Sequence, residues 1–270
     1  MTNNKFANKH ILISGGSSGI GLALAKEFYS RGANVTILAR RKHILKKAAK
    51  EIESFRANPG QKVSLISADV TKFNNLKSSL ENDRADFDVL INSAGFTYPG
   101  IFSELDIEIF YKVMDENYFG TVNLTKLIVP EMISNGSGYI INISSLAAAG
   151  GIYGYTAYAP SKYAVRGFSR CLRSELKAHG IDVSVVLPSD TDTPQLEFER
   201  TLLPEITRQI NENGGVMTPE SVAKSIIRGM KKKQFTIIPG LKIKLLYLIA
   251  PILDRYFYHF AVRKRKQEIT

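Results

Sequence analysis

Apolar residues fall along this chain in two alternating patterns. His10–Ser14 (HILIS) and Asn34–Ala39 (NVTILA) are short apolar runs that read as buried strands. Between them Leu22–Tyr29 repeats its apolar positions at helical spacing, after a turn holding Gly15, Gly16, Gly19 and Gly21. The alternation goes on through a third strand ahead of Asp69, a fourth closing at Asn92–Gly95, a strand over Tyr139–Ser144 and a sixth ahead of Pro188. Apolar strands alternating with helices imply parallel pairing, hence an α/β fold built on one doubly wound parallel sheet. A chain of 270 residues, 44% hydrophobic and 23% charged, suits a single large domain of this kind. The breaks near Pro59-Gly60, Gly136-Ser137-Gly138 and Gly214-Gly215 read as loops, and no repeat, low-complexity tract or linker interrupts the pattern.

Strand, glycine turn and helix in that order make a Rossmann-type unit. Glycine removes the Cβ atoms that would keep backbone N–H groups and a helix N-terminus away from a pyrophosphate. The spacing is G-x-x-x-G-x-G and not the common G-x-G-x-x-G, so on this segment alone a plain strand-to-helix link stays open. The second strand ends in Arg40-Arg41, where an NAD-preferring protein carries an acidic residue for the ribose 2′-hydroxyl. Arginine favours a 2′-phosphate, hence NADPH; the other reading makes Arg40, Arg41, Lys42, Lys46 and Lys47 the solvated face of the next helix. Further on, Ser145 precedes Tyr158 by thirteen positions and Lys162 follows at i+4. In a helix that spacing puts phenol and ammonium on one face, where the charge favours phenolate and lowers a phenol pKa that starts near ~10. Such a phenol can protonate a carbonyl oxygen near neutral pH, although on this spacing alone a chance tyrosine–lysine pair on a helix stays open. Spacing selects Ser145 over Ser144 as the serine of the trio, and alternation along its strand leaves Ser144 a structural hydroxyl.

From about His10 to Pro239 the chain resembles a classical short-chain dehydrogenase/reductase. Ser14–Gly21 (SGGSSGIG) resembles the family's T-G-x-x-x-G-x-G with serine for threonine, which implies cofactor contacts from Gly15, Ser17, Ser18, Gly19, Ile20 and Gly21. Asp69-Val70 resembles the partner of the adenine ring, and Asn92-Ser93-Ala94-Gly95 resembles N-N-A-G, whose Asn92, Ala94 and Gly95 would wall the cofactor. Asn117 in ENYFG matches the catalytic asparagine and, with Ser145, Tyr158 and Lys162, completes a tetrad. The resemblance implies that Ser145 orients a carbonyl, Tyr158 donates the proton, and Lys162 binds the nicotinamide ribose and depresses the tyrosine pKa. Asn117 would hold a water leading from Lys162 to solvent. Pro188-Ser189 departs from the usual Pro-Gly, and Pro188, Thr191 and Thr193 would meet the nicotinamide amide or a phosphate. The resemblance also implies a homodimer or homotetramer built on the helices bearing Asn117 and Tyr158.

Within the family, Tyr155–Phe168 (YTAYAPSKYAVRGF) and Leu187–Pro194 (LPSDTDTP) resemble most the 3-ketodihydrosphingosine (3-dehydrosphinganine) reductases. This implies NADPH-dependent reduction of a 3-keto group on a long-chain lipid. The alternatives are another ketone (steroid, retinal or 3-oxoacyl) and a non-catalytic NADPH-binding scaffold. Leu196, Phe198, Leu202, Leu203 and Ile206, within a substrate loop over Pro194–Gly215, would line an acyl tunnel or simply pack helices.

Charge changes the picture only at the C-terminus. Of a net +11, most comes from residues 231–270, where ten Lys or Arg face only Asp254 and Glu268; a charge so placed does not imply nucleic acid. The chain thus divides into a dinucleotide-binding catalytic domain over 1–240 and a basic, apolar segment over 241–270. Leu245–Val262, broken by Pro251 and Asp254-Arg255, falls short of the ~20 apolar residues of a membrane span. It reads as a helix lying on an anionic bilayer surface, or as an arm packed on the sheet or on a second subunit. Met1–Lys9 has no apolar signal region, so a cytoplasmic protein, peripheral on the cytoplasmic face of a membrane, is expected. The single Cys171 is expected to be buried packing in a reducing compartment, and His10, His43, His179 and His259 lack ligand spacing, so no metal is expected.

Overall fold

The computed structural model describes residues 6–81, 86–211 and 215–269. Its seven strands are β1 (His10–Ser14), β2 (Asn34–Ala39), β3 (Val63–Ser67), β4 (Val89–Asn92), β5 (Gly138–Ile143), β6 (Ile181–Val186) and β7 (Thr236–Ile237). They pair in parallel in the order β3-β2-β1-β4-β5-β6-β7. Because β1 lies between β2 and β4, the connections leave it toward opposite edges, and a crevice opens at the carboxyl ends of β1 and β4.

Both faces of the sheet are covered, which explains the uninterrupted apolar runs. Ile11, Ile13, Ile37, Ile91 and Ile141 point to one side against α1 (Gly19–Tyr29), α2 (Lys42–Glu53) and α9 (Pro219–Lys231). Leu12, Leu38, Leu90 and Ile140 point to the other, where α3 (Phe73–Glu81), α5 (Gly120–Ser134) and α6 (Tyr158–Leu176) supply Leu76, Leu124, Ile128, Leu172 and Leu176. Helix α4 (Ile107–Met114) runs into α5 through one π-helical turn, Asp115–Phe119.

Four boundaries differ from the sequence reading. The first helix starts at Gly19, because the glycine loop itself turns into it, and the fifth strand covers Gly138–Ile143, so Gly138 belongs to the sheet. The substrate loop holds two helices, α7 (Pro194–Leu202) and α8 (Glu205–Asn211); Gly214 lies outside the described residues, as do Met1–Lys5 of the N-terminal reading. Leu245–Val262 is shared between α10 (Leu241–Leu248) and α11 (Ala250–Ile269). Cys171 is exposed, contrary to expectation: α6 buries Val165, Ser169, Leu172 and Leu176, a stripe at helical spacing that leaves position 171 on the outer face.

The C-terminal helices fold back on the body. Ile243 and Ala261 are buried, and the Arg166 guanidinium donates to the Tyr247 hydroxyl at 2.6 Å and lies 5.4 Å from its ring centre. Their outer side chains stay in solvent, with Leu241, Leu245, Leu248, Tyr256 and Tyr258 all exposed.

Candidate active site

The crevice floor is shaped by atoms that glycine leaves out. Gly15 has φ +68°, and a Cβ there would stand 2.7 Å from the Ser93 carbonyl oxygen; Gly19 has φ +52°, with Thr193 Cγ2 2.9 Å from its missing Cβ. Ser14 Oγ accepts from the Ser93 and Ala94 N–H groups, both at 3.2 Å, and so ties β1 to the turn after β4. Ser18 caps α1 in extended conformation without a side-chain bond to the first turn, which leaves that turn's N–H groups facing the crevice. Gly15, Ser18, Gly19, Ile20, Ala94 and Gly95 line a cavity of about 350 Å³ that continues to Ser145, Tyr158 and Lys162. Pro188, Thr191 and Thr193 close its far wall. This bare, N–H-lined shelf fits the pyrophosphate of a dinucleotide.

Other expected cofactor residues lie outside the cavity wall. Gly21 is buried, where a Cβ would strike the Gly15 carbonyl oxygen, and Ser17 is half-buried in the loop. Arg40 is exposed at the end of β2, with Nη1 3.1 Å from Glu116 Oε1, so a phosphate arriving there would share the guanidinium with that carboxylate. Asp69 Oδ1 accepts from Thr71 N at 2.9 Å and Thr71 Oγ1 at 2.8 Å, which fixes the turn after β3; the Val70 carbonyl accepts from Asn123 Nδ2. Asn92 is a buried brace whose Nδ2 donates to Thr125 Oγ1 and Asn142 Oδ1.

Ser145, Tyr158 and Lys162 line one cavity, with Asn117 behind them. Ser145 ends the stretch after β5, where its Oγ accepts from Ala147 N at 3.1 Å and hydrogen-bonds the Tyr158 phenol. Ser144 is structural, its Oγ donating to the Lys162 carbonyl at 2.8 Å. Tyr158 opens α6, and Lys162 lies one turn on, its Nζ 5.6 Å from the phenol ring centre and 3.3 Å from the Ile143 carbonyl oxygen that it donates to. Asn117 sits in the π-turn, where the extra residue per turn swings its side chain inward. Its Oδ1 accepts from Phe96 N at 2.7 Å, while Nδ2 donates to the Phe96 carbonyl at 2.9 Å and to Ser161 Oγ at 2.8 Å. The side chain therefore clamps the turn after β4 to α6, close to Gly95, where a Cβ would come within 2.8 Å of Asn117 Oδ1 and 3.3 Å of Lys162 Nζ.

The electrostatics of the bare protein differ from the expected depression of the phenol by Lys162. Burial pushes the Tyr158 phenol above its usual value, the Glu199 carboxylate adds to this, and hydrogen bonds from Ser145 and Gln195 only partly offset it. Burial likewise holds Lys162 down, to about 8. Burial dominates here, so Tyr158 rests as a protonated donor.

Sequence reasoning missed two carboxylates in the same wall, Asp190 and Glu199, together with Tyr155 and Gln195. Glu199, on α7, is only 7% exposed and accepts a hydrogen bond from the Tyr155 hydroxyl, to which Asn211 Nδ2 also donates. Burial raises its carboxyl to about 7, aided by Asp190 and eased by Tyr155, Thr97 and Arg200. Of the expected tunnel residues only Leu196 reaches the cavity. Phe198 packs at a tilt against Phe96 and Tyr98, Leu203 joins the cluster around Val113 and Tyr155, Ile206 is buried and Leu202 half-buried, so packing accounts for most of them. From the C-terminal segment Ile243 adds to the cavity wall. A second, apolar groove shares Gly150, Gly151, Ile152 and Tyr155 with the first and runs between the start of α6 and Tyr258, Ala261 and Val262 of α11. Among the described residues no group of three or more His, Cys, Asp or Glu side chains is placed to hold a metal.

Comparison with known proteins agrees with this architecture. A family model described as short chain dehydrogenase matches residues 9–201. A 3-dehydrosphinganine reductase of Danio rerio is 39% identical over 236 residues, covering 86% of this chain and 71% of the relative. A 3-ketodihydrosphingosine reductase of Dictyostelium discoideum is 38% identical over 276 residues, covering 96% and 83%. Among solved structures, a short-chain dehydrogenase from Sphingobium yanoikuyae in complex with NADPH superposes with a TM-score of 0.76 at 25% identity, covering 96% of this chain and 95% of that one.

Proposed function

Because the chain belongs to the short-chain dehydrogenase family, we propose that it reduces the 3-keto group of a long-chain amino ketone, 3-ketodihydrosphingosine, with NADPH. The observation that carries this reading is the trio Ser145, Tyr158 and Lys162 in one cavity, braced from behind by Asn117, with a second, apolar groove sharing part of the cavity's wall. Relatives of high coverage bear the names of 3-dehydrosphinganine and 3-ketodihydrosphingosine reductases.

The cofactor, when bound, supplies a hydride; the chain supplies everything that positions and charges the carbonyl. The shelf of Gly15, Ser18, Gly19 and Ile20 takes the pyrophosphate, and Arg40 favours a 2′-phosphate over a 2′-hydroxyl. Ser145 hydrogen-bonds the carbonyl oxygen, and Tyr158, protonated at rest, gives that oxygen its proton as the carbon is reduced. Lys162 binds the nicotinamide ribose hydroxyls, and its charge then stabilises the tyrosinate left behind. Asn117 positions both groups by fixing the turn after β4 against Ser161, whose Oγ donates to the Tyr158 carbonyl. The lipid tail runs past Ile152 and Tyr155 into the groove against α11.

A peripheral place on an anionic membrane is supported by the exposed Leu241, Leu245 and Leu248 beside Lys242 and Lys244. Among the described residues no helix is long and apolar enough to cross a membrane. Self-association through the family's helices is supported by exposed Ile107 and Tyr111, one turn apart on α4, and by exposed Tyr163 on α6. The deciding experiment is NADPH oxidation with detergent-dispersed 3-ketodihydrosphingosine, beside NADH, a short keto ester and Tyr158→Phe. NADPH-dependent turnover of the lipid, lost in Tyr158→Phe with cofactor binding retained, is expected; turnover of the short ketone alone overturns the substrate.

A further inference from the structure

A reductase for a plain ketone has no need of a buried negative charge beside its proton donor. Here two carboxylates, Asp190 and Glu199, stand in the cavity that holds Ser145 and Tyr158. Glu199 has nine-tenths of its surface buried, and among the described residues neither carboxylate forms an ion pair with Lys, Arg or His. Of the basic residues near them, Arg200 is exposed on α7 and Lys162 lines the same cavity, and neither is paired with them. A buried carboxylate without a cation is costly, and chains keep such a group where a ligand completes it. Glu199 accepts a hydrogen bond from the Tyr155 hydroxyl in the same wall, so its position is set before a ligand arrives.

We propose that Glu199, assisted by Asp190, is the site that takes the protonated 2-amino group of the substrate and selects amino ketones from other ketones. This rests on the amino-ketone reading above. In that substrate the amine is bonded to the carbon next to the carbonyl, so a carbonyl held by Ser145 and Tyr158 puts the ammonium in the same part of the cavity. Glu199 is near enough to act on the phenol electrostatically. An ammonium paired with Glu199 cancels the charge that adds to burial in holding the phenol up and places a positive charge beside it. Binding the correct substrate therefore eases proton donation by Tyr158, while a ketone without the amine leaves the carboxylate uncompensated. Selection and activation become one event.

The test is kcat/KM with NADPH for 3-ketodihydrosphingosine and for its des-amino analogue, a 1-hydroxy-3-ketone of equal chain length, in wild type, Glu199→Gln and Asp190→Asn. The wild type is expected to prefer the amine by about tenfold or more. In Glu199→Gln the ratio should fall toward one, and in Asp190→Asn it should fall part of the way. A structural defect lowers both substrates together and leaves the ratio alone. A wild-type ratio near one, or a Glu199→Gln ratio equal to the wild type's, overturns the inference. Should Glu199→Gln fail to fold, the wild-type ratio together with that of Asp190→Asn decides: a ratio near one in the wild type, or an unchanged one in Asp190→Asn, again overturns it. Wild type that reduces neither lipid strikes the substrate reading itself, a result distinct from turnover without discrimination.

Discussion

Glu199 also leaves a mark on stability. Its carboxyl, raised from 4.5 to about 7 in the folded chain, keeps its proton to higher pH than it does unfolded. Below the unfolded value both states are protonated and nothing is lost. As pH rises through that window the unfolded state releases the proton first, so folding stability falls, and the penalty is complete above the folded value. A shift of this size corresponds to about 3 kcal/mol at most. The cofactor-free protein is therefore expected to melt lower at about pH 8 than at about pH 5, and Glu199→Gln should flatten that difference and raise the melting temperature at the higher pH. Calorimetry at both values checks this; a wild-type melting temperature that rises with pH would refute it. Asp190, also raised by burial, acts in the same direction. None of this was legible in the sequence, because a glutamate in a polar helical stretch looks like any solvated one until Tyr155, far away in the chain, is folded against it.

Elements were legible to the degree that their chemistry is local. Strands β1 and β2, the glycine loop and the Tyr158–Lys162 pair each follow from spacing within one stretch, and the structure brings them together as that spacing implies. The bracing contacts of Asn117 were not, because they depend on a π-turn that no periodicity announces. Its side chain makes two bonds to the Phe96 backbone and one to Ser161. The contact of this turn with Gly95 makes a separable prediction. In Gly95→Ala the new Cβ would crowd Asn117 Oδ1 at 2.8 Å and Lys162 Nζ at 3.3 Å, so the clamp and the ammonium must shift. Turnover should fall by about a hundredfold, since displacement of such groups by about an ångström costs on that order, while far-ultraviolet circular dichroism stays native. Wild-type turnover in this variant would show that the clamp tolerates displacement. The candidate acyl-tunnel residues stayed undecided for the opposite reason: an apolar side chain in α7 or α8 has the same sequence signature whether it faces a ligand or a neighbouring helix.

For the molecule as a whole, the surface of α10 sets the expected behaviour at a lipid interface. Lys242 and Lys244 stand exposed beside Leu241, Leu245 and Leu248, whereas Ile243 faces the catalytic cavity. Binding to anionic vesicles, measured by sedimentation, should exceed binding to neutral ones and weaken with salt, and Lys242→Glu combined with Lys244→Glu should reduce it by about tenfold or more without lowering the melting temperature. Equal binding of the double variant would place the contact elsewhere.

The position of β1 in the sheet has a further consequence, for the order in which the molecule can be made. Ile11 pairs with Val89, and Ser14 Oγ receives its bonds from Ser93 and Ala94, so the floor of the crevice joins two stretches some eighty residues apart. A chain emerging from the ribosome holds every glycine of the loop long before it owns the strand that completes the shelf. Pairings of such long reach form late and slowly. Dinucleotide present during synthesis thus meets an incomplete floor until the fourth strand has docked, and from that moment its binding favours the joined state of the two stretches.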